Sequence, residues 1–173
     1  MTRMVLSIGS NLGDRMARLQ SVVDTLGAAV CAVSPVYETA PWGGVDQGPY
    51  LNAVVVAEDP GASAHDWLQR AQAIERANER VRDQRWGPRT LDVDLVSGRD
   101  ASNAVVVAGD DRLTLPHPLA HLRAFVLIPW LAVEPDAELM VAGISRSAGR
   151  LLAEIDRAER DGVRPTDLML RMP

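Results

Sequence analysis

Apolar residues recur along this chain in two rhythms, and the switches between them mark out the elements. Met4, Val5, Leu6 and Ile8 form a short apolar run, which predicts a first strand over residues 4–8. Gly9-Ser10-Asn11-Leu12-Gly13 reads as a loop. From Asp14, a side chain suited to capping a helix, Met16, Leu19, Val23 and Leu26 fall three or four apart; Gly27 ends that helix. Residues 30–38 predict a second strand, dented at Pro35. Residues 39–49 hold three glycines and two prolines and read as a loop, long enough to suggest function. Residues 50–57 predict a third strand. Ser63 and Asp66 resemble a capping box before a helix with a Trp67, Leu68, Ala71, Ile74 stripe. After an arginine-rich loop at 80–90, residues 91–96 and 104–108 predict two more strands. Residues 119–132 predict helical pieces interrupted at Pro129, residues 139–142 a short strand and residues 147–155 a last helix. Residues 160–173 show no period.

The order β-α-β-β-α-β, followed by extra C-terminal strands and helices, predicts an α+β fold of the ferredoxin-like type with an antiparallel sheet. A length of 173 residues fits one domain, here expected over residues 1–160 with a tail at 161–173.

Composition narrows the chemistry. With 47% hydrophobic and 24% charged residues the chain reads as globular, not disordered. The N-terminus lacks a cleavage pattern, and the longest apolar stretch, Phe125 to Val133, is too short to span a bilayer, so a soluble, cytoplasmic protein is expected. A formal net charge of −5 disfavours nucleic-acid or membrane-surface binding. The single cysteine, Cys31, excludes a disulfide framework and is expected to be a small buried hydrophobe. All 18 basic residues are arginine. Without lysine there is no Walker A motif, no kinase of the β3-lysine type and no Schiff-base chemistry, so phosphate would be handled by arginine, backbone amides or metal.

Three clusters carry candidate chemistry. In Arg85-Trp86-Gly87-Pro88-Arg89-Thr90-Leu91-Asp92-Val93-Asp94, the two aspartates share one face of a strand with Cα atoms about 6.6 Å apart. Such a pair either faces solvent or holds cations; hard oxygen donors suit magnesium, and two ions can share them to bridge a polyphosphate. Arg76, Arg80, Arg82, Arg85 and Arg89 lead into that strand. They either pair with Glu75, Glu79 and Asp83 at a helix end or offer a fork of donors to phosphoryl oxygens. In Tyr50-Leu51-Asn52, the Asn52 amide can read a heterocycle edge or bond within a turn. Phe125, the lone phenylalanine, reads as core, whereas Trp86, in a Gly/Pro/Arg loop, can pack on a ligand ring. In Arg112-Leu113-Thr114-Leu115-Pro116-His117, His117 is either an idle loop residue or a donor to phosphate.

Together with Gly9-Ser10-Asn11-Leu12-Gly13, these runs resemble the 6-hydroxymethyl-7,8-dihydropterin pyrophosphokinase family over residues 4–142. The resemblance implies an enzyme that moves pyrophosphate from ATP to the pterin hydroxymethyl group and releases AMP, in folate biosynthesis. It implies two Mg2+ ions on Asp92 and Asp94, with Arg80, Arg82 and Arg89 neutralising the transferring group. Glu75, Arg82, Trp86, Arg89, Arg112, Thr114, His117 and Arg123 would form the ATP site. Thr39, Trp42, Tyr50, Asn52, Trp86, Asp92 and Phe125 match the family's pterin site, and loops at 9–14, 39–49 and 80–90 would close over it. Ala40, Trp42 and Pro118 depart from the family's commoner residues. The implied partners are small molecules, with neither nucleic acid nor membrane, and a monomer is expected. A non-catalytic ferredoxin-like module binding RNA or a regulatory ligand is the alternative; it would want exposed aromatics on central strands and a basic face, which the acidic balance opposes.

Overall fold

In the computed structural model, residues 2–40, 48–79 and 90–173 are described. The chain order is β1 (Thr2–Ser10), α1 (Arg15–Leu26), β2 (Val30–Val33), β3 (Tyr37–Thr39), β4 (Tyr50–Asp59), α2 (Ala64–Glu79) and β5 (Asp92–Asp100). There follow β6 (Ala108–Gly109), β7 (Thr114–Leu115), α3 (Ala124–Val133), β8 (Glu138–Val141), β9 (Ile144–Ser147), α4 (Ala148–Glu154), α5 (Arg157–Asp161) and β10 (Val163–Pro165). The central sheet runs β10-β3-β4-β1-β5, with β2 also on β4, and every pairing is antiparallel. This is the expected α+β, split-βαβ arrangement. Its second strand is broken in two, because Pro35 has no N–H for the ladder. The Ser34 hydroxyl bridges the break by accepting from the Val54 N–H at 2.8 Å.

The two helices fold as their patterns dictate. Asp14 caps α1 by accepting from the Ala17 N–H, and Gly27 ends it at φ +52°. Ser63 and Asp66 cap α2 reciprocally: the Asp66 carboxylate accepts from the Ser63 N–H at 2.8 Å, and the Ser63 hydroxyl accepts from the Asp66 N–H at 3.2 Å. Both helices bury Leu19, Val22, Val23, Trp67, Ala71 and Ile74 against Met4, Leu6, Ile8, Leu51, Ala53, Val55, Val93 and Leu95 on one sheet face. On the opposite face, Val5, Val54, Val56 and Val96 are covered by Val126, Leu127 and Trp130 of α3 and by Leu151 of α4.

Several expectations are corrected. β1 runs on through Gly9 and Ser10, which were expected in a loop, because both pair with β4. Residues 104–108 are not a full strand: Val105 makes one isolated bridge to Arg99, and Ala108–Gly109 pairs with β7. Pro129 sits inside α3, and the break falls at Arg123, between a 3-10 turn at Ala120–Leu122 and the helix. Cys31 is exposed, since the inward alternation of β2 falls on Val30 instead. The region after Arg160 is ordered by contact: β10 pairs with β3, the Thr166 hydroxyl donates to the Val36 carbonyl at 2.7 Å, and Leu170 joins the core.

Candidate functional site

On the α3 face the strand alternation continues beyond the helix, and there the residues turn polar. Asp92, Asp94 and Val96 of β5 share this face, as do Ser7 and Gly9 of β1 and Tyr50, Asn52 and Val54 of β4. Register places Gly9 opposite Asn52 on one side and Asp92 on the other, with Ser7 opposite Asp94. Asp92 and Asp94 are both half-buried and lie at the start of β5.

Around the aspartates the chain folds back from α3. Arg123, just before that helix, brings its Nη1 to 3.8 Å from Asp94 Oδ2 and its guanidinium to 5.6 Å from the Phe125 ring centre. The His117 N–H donates to the Val96 carbonyl at 2.8 Å, which ties this histidine to the outer edge of β5. His117 Nδ1 accepts from the Leu119 N–H at 3.1 Å, so the proton of the neutral ring resides on Nε2, which can donate. Burial, then the Arg123 charge, hold the His117 pKa below its ordinary value of 6.5, against an opposing pull from Asp94. The ring therefore stays neutral at neutral pH. Glu75 of α2 accepts from the Val93 N–H at 3.0 Å, capping an outer-edge donor of β5 between the two aspartates.

On the β4 side, Asn52 is buried and its Nδ2 donates to Thr39 Oγ1 at 2.7 Å. Among the described residues no partner takes the second amide N–H, the amide oxygen or the threonine hydroxyl hydrogen. Burial and the Asp92 charge raise the Tyr50 pKa above its ordinary 10.0, so the phenol keeps its proton. Phe125 is only partly core: it packs against the α3-side cluster beneath Arg123.

Thr39, Tyr50, Asn52, Asp92, Asp94, His117, Arg123 and Phe125 thus gather at one end of one face. Arg112 and Thr114 are exposed. Arg112 lies along α2 instead, where Asp66, Gln72 and Arg76 help to line a depression of about 750 Å³. Trp42, Arg80, Arg82, Trp86 and Arg89 lie outside the described residues. Ser7, opposite Asp94, is a residue that sequence reading missed, and Gly9, expected at the start of a closing loop, is instead the β1 position between Asn52 and Asp92; a glycine continuing an apolar strand is the signal of a close approach. Among the described residues, no three His, Cys, Asp or Glu side chains form a metal-binding group, and no helix is long and apolar enough to cross a membrane.

A protein-family model described as 7,8-dihydro-6-hydroxymethylpterin-pyrophosphokinase (HPPK) matches residues 5–135. A Mycobacterium tuberculosis protein named 2-amino-4-hydroxy-6-hydroxymethyldihydropteridine pyrophosphokinase is 62% identical over 168 residues, covering 95% of this chain and 89% of its own. A Mycobacterium leprae protein of the same name is 60% identical over 177 residues, covering 99% and 93%. A crystal structure of Plasmodium falciparum HPPK-DHPS with pterin and p-hydroxybenzoate superposes with a TM-score of 0.62 at 13% identity. That match covers 88% of this chain but only 43% of the solved one, and at such identity it speaks for the fold alone.

Proposed function

The chain belongs to the 7,8-dihydro-6-hydroxymethylpterin-pyrophosphokinase family, and from that premise we propose that its polar sheet end transfers the terminal pyrophosphate of ATP to 6-hydroxymethyl-7,8-dihydropterin. It is a pyrophosphokinase of folate biosynthesis with ATP as co-substrate. The reaction is an in-line displacement: the pterin hydroxyl oxygen bonds to the β-phosphorus and releases its proton to solvent, the bond from that phosphorus to the α–β bridging oxygen breaks, and AMP leaves with that oxygen.

What supports this reading is one juxtaposition: two carboxylates on one strand lie across Gly9 from an anchored amide, with Arg123 and a neutral His117 beside them. Asp92 and Asp94 suit Mg2+, which takes one or two protein carboxylates and completes its octahedron with phosphate oxygens and water. Among the described residues no three His, Cys, Asp or Glu side chains converge there, and a carboxylate pair fits that demand better than an all-protein cage would. When bound, the two ions would neutralise charge on the triphosphate.

The chain's own groups do the rest by position and charge. Arg123 holds Asp94 in place and adds positive charge where phosphoryl oxygens would lie. His117, with Nδ1 occupied, donates from Nε2 to a phosphoryl oxygen and so does not serve as the base for the alcohol. Asn52 and Thr39 read the polar edge of the pterin, between Tyr50 and Phe125. By their family positions Arg80, Arg82 and Arg89 neutralise the migrating group, Trp42 and Trp86 flank the ring, and Glu75, Arg112 and Thr114 complete the nucleotide site.

The test is product analysis with ATP, Mg2+ and the hydroxymethyl pterin. AMP is expected in equal amount to pterin diphosphate, and a chelator should stop both. Release of ADP, or turnover indifferent to the chelator, would overturn the proposal.

A further inference from the structure

We propose that Gly9 is a positioning residue: its missing side chain leaves the space in which the Asn52 carboxamide is held, so that even a methyl group there weakens pterin binding and spares the nucleotide. This rests on the reading of Asn52 as a pterin-reading group.

The argument is one of space. A Cβ at residue 9 would come 2.9 Å from Asn52 Oδ1, 3.7 Å from the Leu51 carbonyl and 3.8 Å from Tyr50 Cδ1. The last two are ordinary contacts; the first lies well inside van der Waals contact, so something must move. The Leu51 carbonyl belongs to the β1–β4 ladder. The displacement therefore falls on the Asn52 amide. That amide is only 4% exposed, and its nitrogen is tied to Thr39 Oγ1 at 2.7 Å. It can yield only by turning about its terminal bond or by releasing Thr39, and either re-aims the donor and acceptor that face the ring.

Backbone strain is not the reason for glycine here, because Gly9 does not have a positive φ. Alanine suits an extended strand at least as well as glycine, so without the contact to Asn52 the change would be neutral or stabilising. The three atoms nearest the added methyl belong to β4, and none to Asp92 or Asp94. The crowding therefore falls first on the pterin half of the site.

The experiment uses the full chain and steady-state kinetics in ATP, Mg2+ and the hydroxymethyl pterin, with the melting temperature of each variant. Asn52→Ala is expected to raise the pterin KM by about tenfold or more, the scale of one lost hydrogen bond to a ligand. Gly9→Ala should raise it comparably, with the ATP KM within about twofold of the parent. The double variant should be no worse than Asn52→Ala alone, because the two changes remove one interaction. Gly98→Ala is the control: its Cβ would come 3.0 Å from the end of the Met4 side chain, 3.5 Å from its sulfur and 3.6 Å from the Arg3 carbonyl oxygen, at the other end of the sheet, and its kinetics should match the parent's. An unchanged pterin KM in Gly9→Ala, or penalties that multiply in the double variant, overturns the proposal alone. So does a Gly9→Ala melting loss above about 10 °C with both KM values rising together, which would mark a packing role only. An unchanged pterin KM in Asn52→Ala removes the site reading, and the proposal with it.

Discussion

The same three strands, on the same face, end in two different environments. At one end Val5, Val54, Val56 and Val96 lie under Leu127 and Trp130; at the other, Gly9, Asn52, Asp92 and Asp94 occupy positions of the same parity without that cover. Between β1 and β4 the register is unbroken from Thr2 to Ser10, while β5 carries a bulge at Val96, between Leu95 opposite Leu6 and Ser97 opposite Val5. What changes is whether a helix lies above. Where α3 covers the sheet, each buried aliphatic contributes roughly 1.5–3 kcal/mol, and a polar group would be desolvated without a partner. Where the α3 cover stops, the side chains need not be aliphatic, and their identity can serve chemistry. The site is thus the continuation of the core's own alternation past the edge of α3.

The largest effect should come from breaking the polar end. Asp94→Ala is expected to lower kcat at least about 1,000-fold, because it removes a charge that no neighbour can replace in the transition state. With the Asp94 side chain 45% exposed, the melting temperature should stay level or rise, as when like charges are relieved. Near-normal turnover in a folded Asp94→Ala protein would refute the assignment of the metal carboxylates.

The second effect belongs to the covered end, and it should have the opposite signature. Val56 is fully buried in the α3-side cluster. Val56→Asp places an unpaired carboxylate there and is expected to cost about 3–5 kcal/mol in urea unfolding, while the folded fraction retains the parent's KM values. If both variants lose stability and activity alike, the division of the face into a structural and a chemical half is wrong.

How much of this was legible depends on how local the signal is. β1, α1, β4, α2 and β5 were readable because each carries its own period or cap, as with Asp14, Ser63 and the Trp67 stripe. That Asp92 shares a face with Asp94, and Tyr50 with Asn52, was readable for the same reason, since spacing on one strand decides which side chains share a face. Elements made by partners were not. β10 is three residues ending in Pro165, and it exists because β3 offers an open edge. β9, with Ile144 and Ser145 exposed, is defined by its hairpin partner β8. Pro129 misled because it cannot donate within a helix, yet α3 holds it in a buried interior where packing outweighs one missing hydrogen bond. The approach of His117 and Arg123 to Asp94, and the crowding of Gly9 against Asn52, join segments far apart in sequence.

The smallest effect concerns the carboxylates that close turns at the covered end of the strands, and acid separates them from the site. Asp100, at the end of β5, accepts from the Ala104 N–H at 3.0 Å and from the Ser102 N–H and hydroxyl at 2.9 Å each, and these bonds hold its pKa below the usual 3.8. Asp59, at the end of β4, is held low by Arg70 and then by the Gly61 N–H. A depressed carboxylate binds fewer protons folded than unfolded, so its contribution is complete above the unfolded pKa and is lost as pH falls below about 3.8 through the lower folded values. Unfolding midpoints in urea should therefore drop between about pH 4 and pH 2. Asp100→Asn, which keeps an acceptor but cannot titrate, should flatten part of that drop. Its turnover at neutral pH should equal the parent's, because Asp100 lies opposite Thr2, at the far end of β1 from Gly9. An acid profile unchanged by Asp100→Asn would show that this turn carries no linked proton, and a loss of turnover in that variant would mean the two ends of the face are coupled after all.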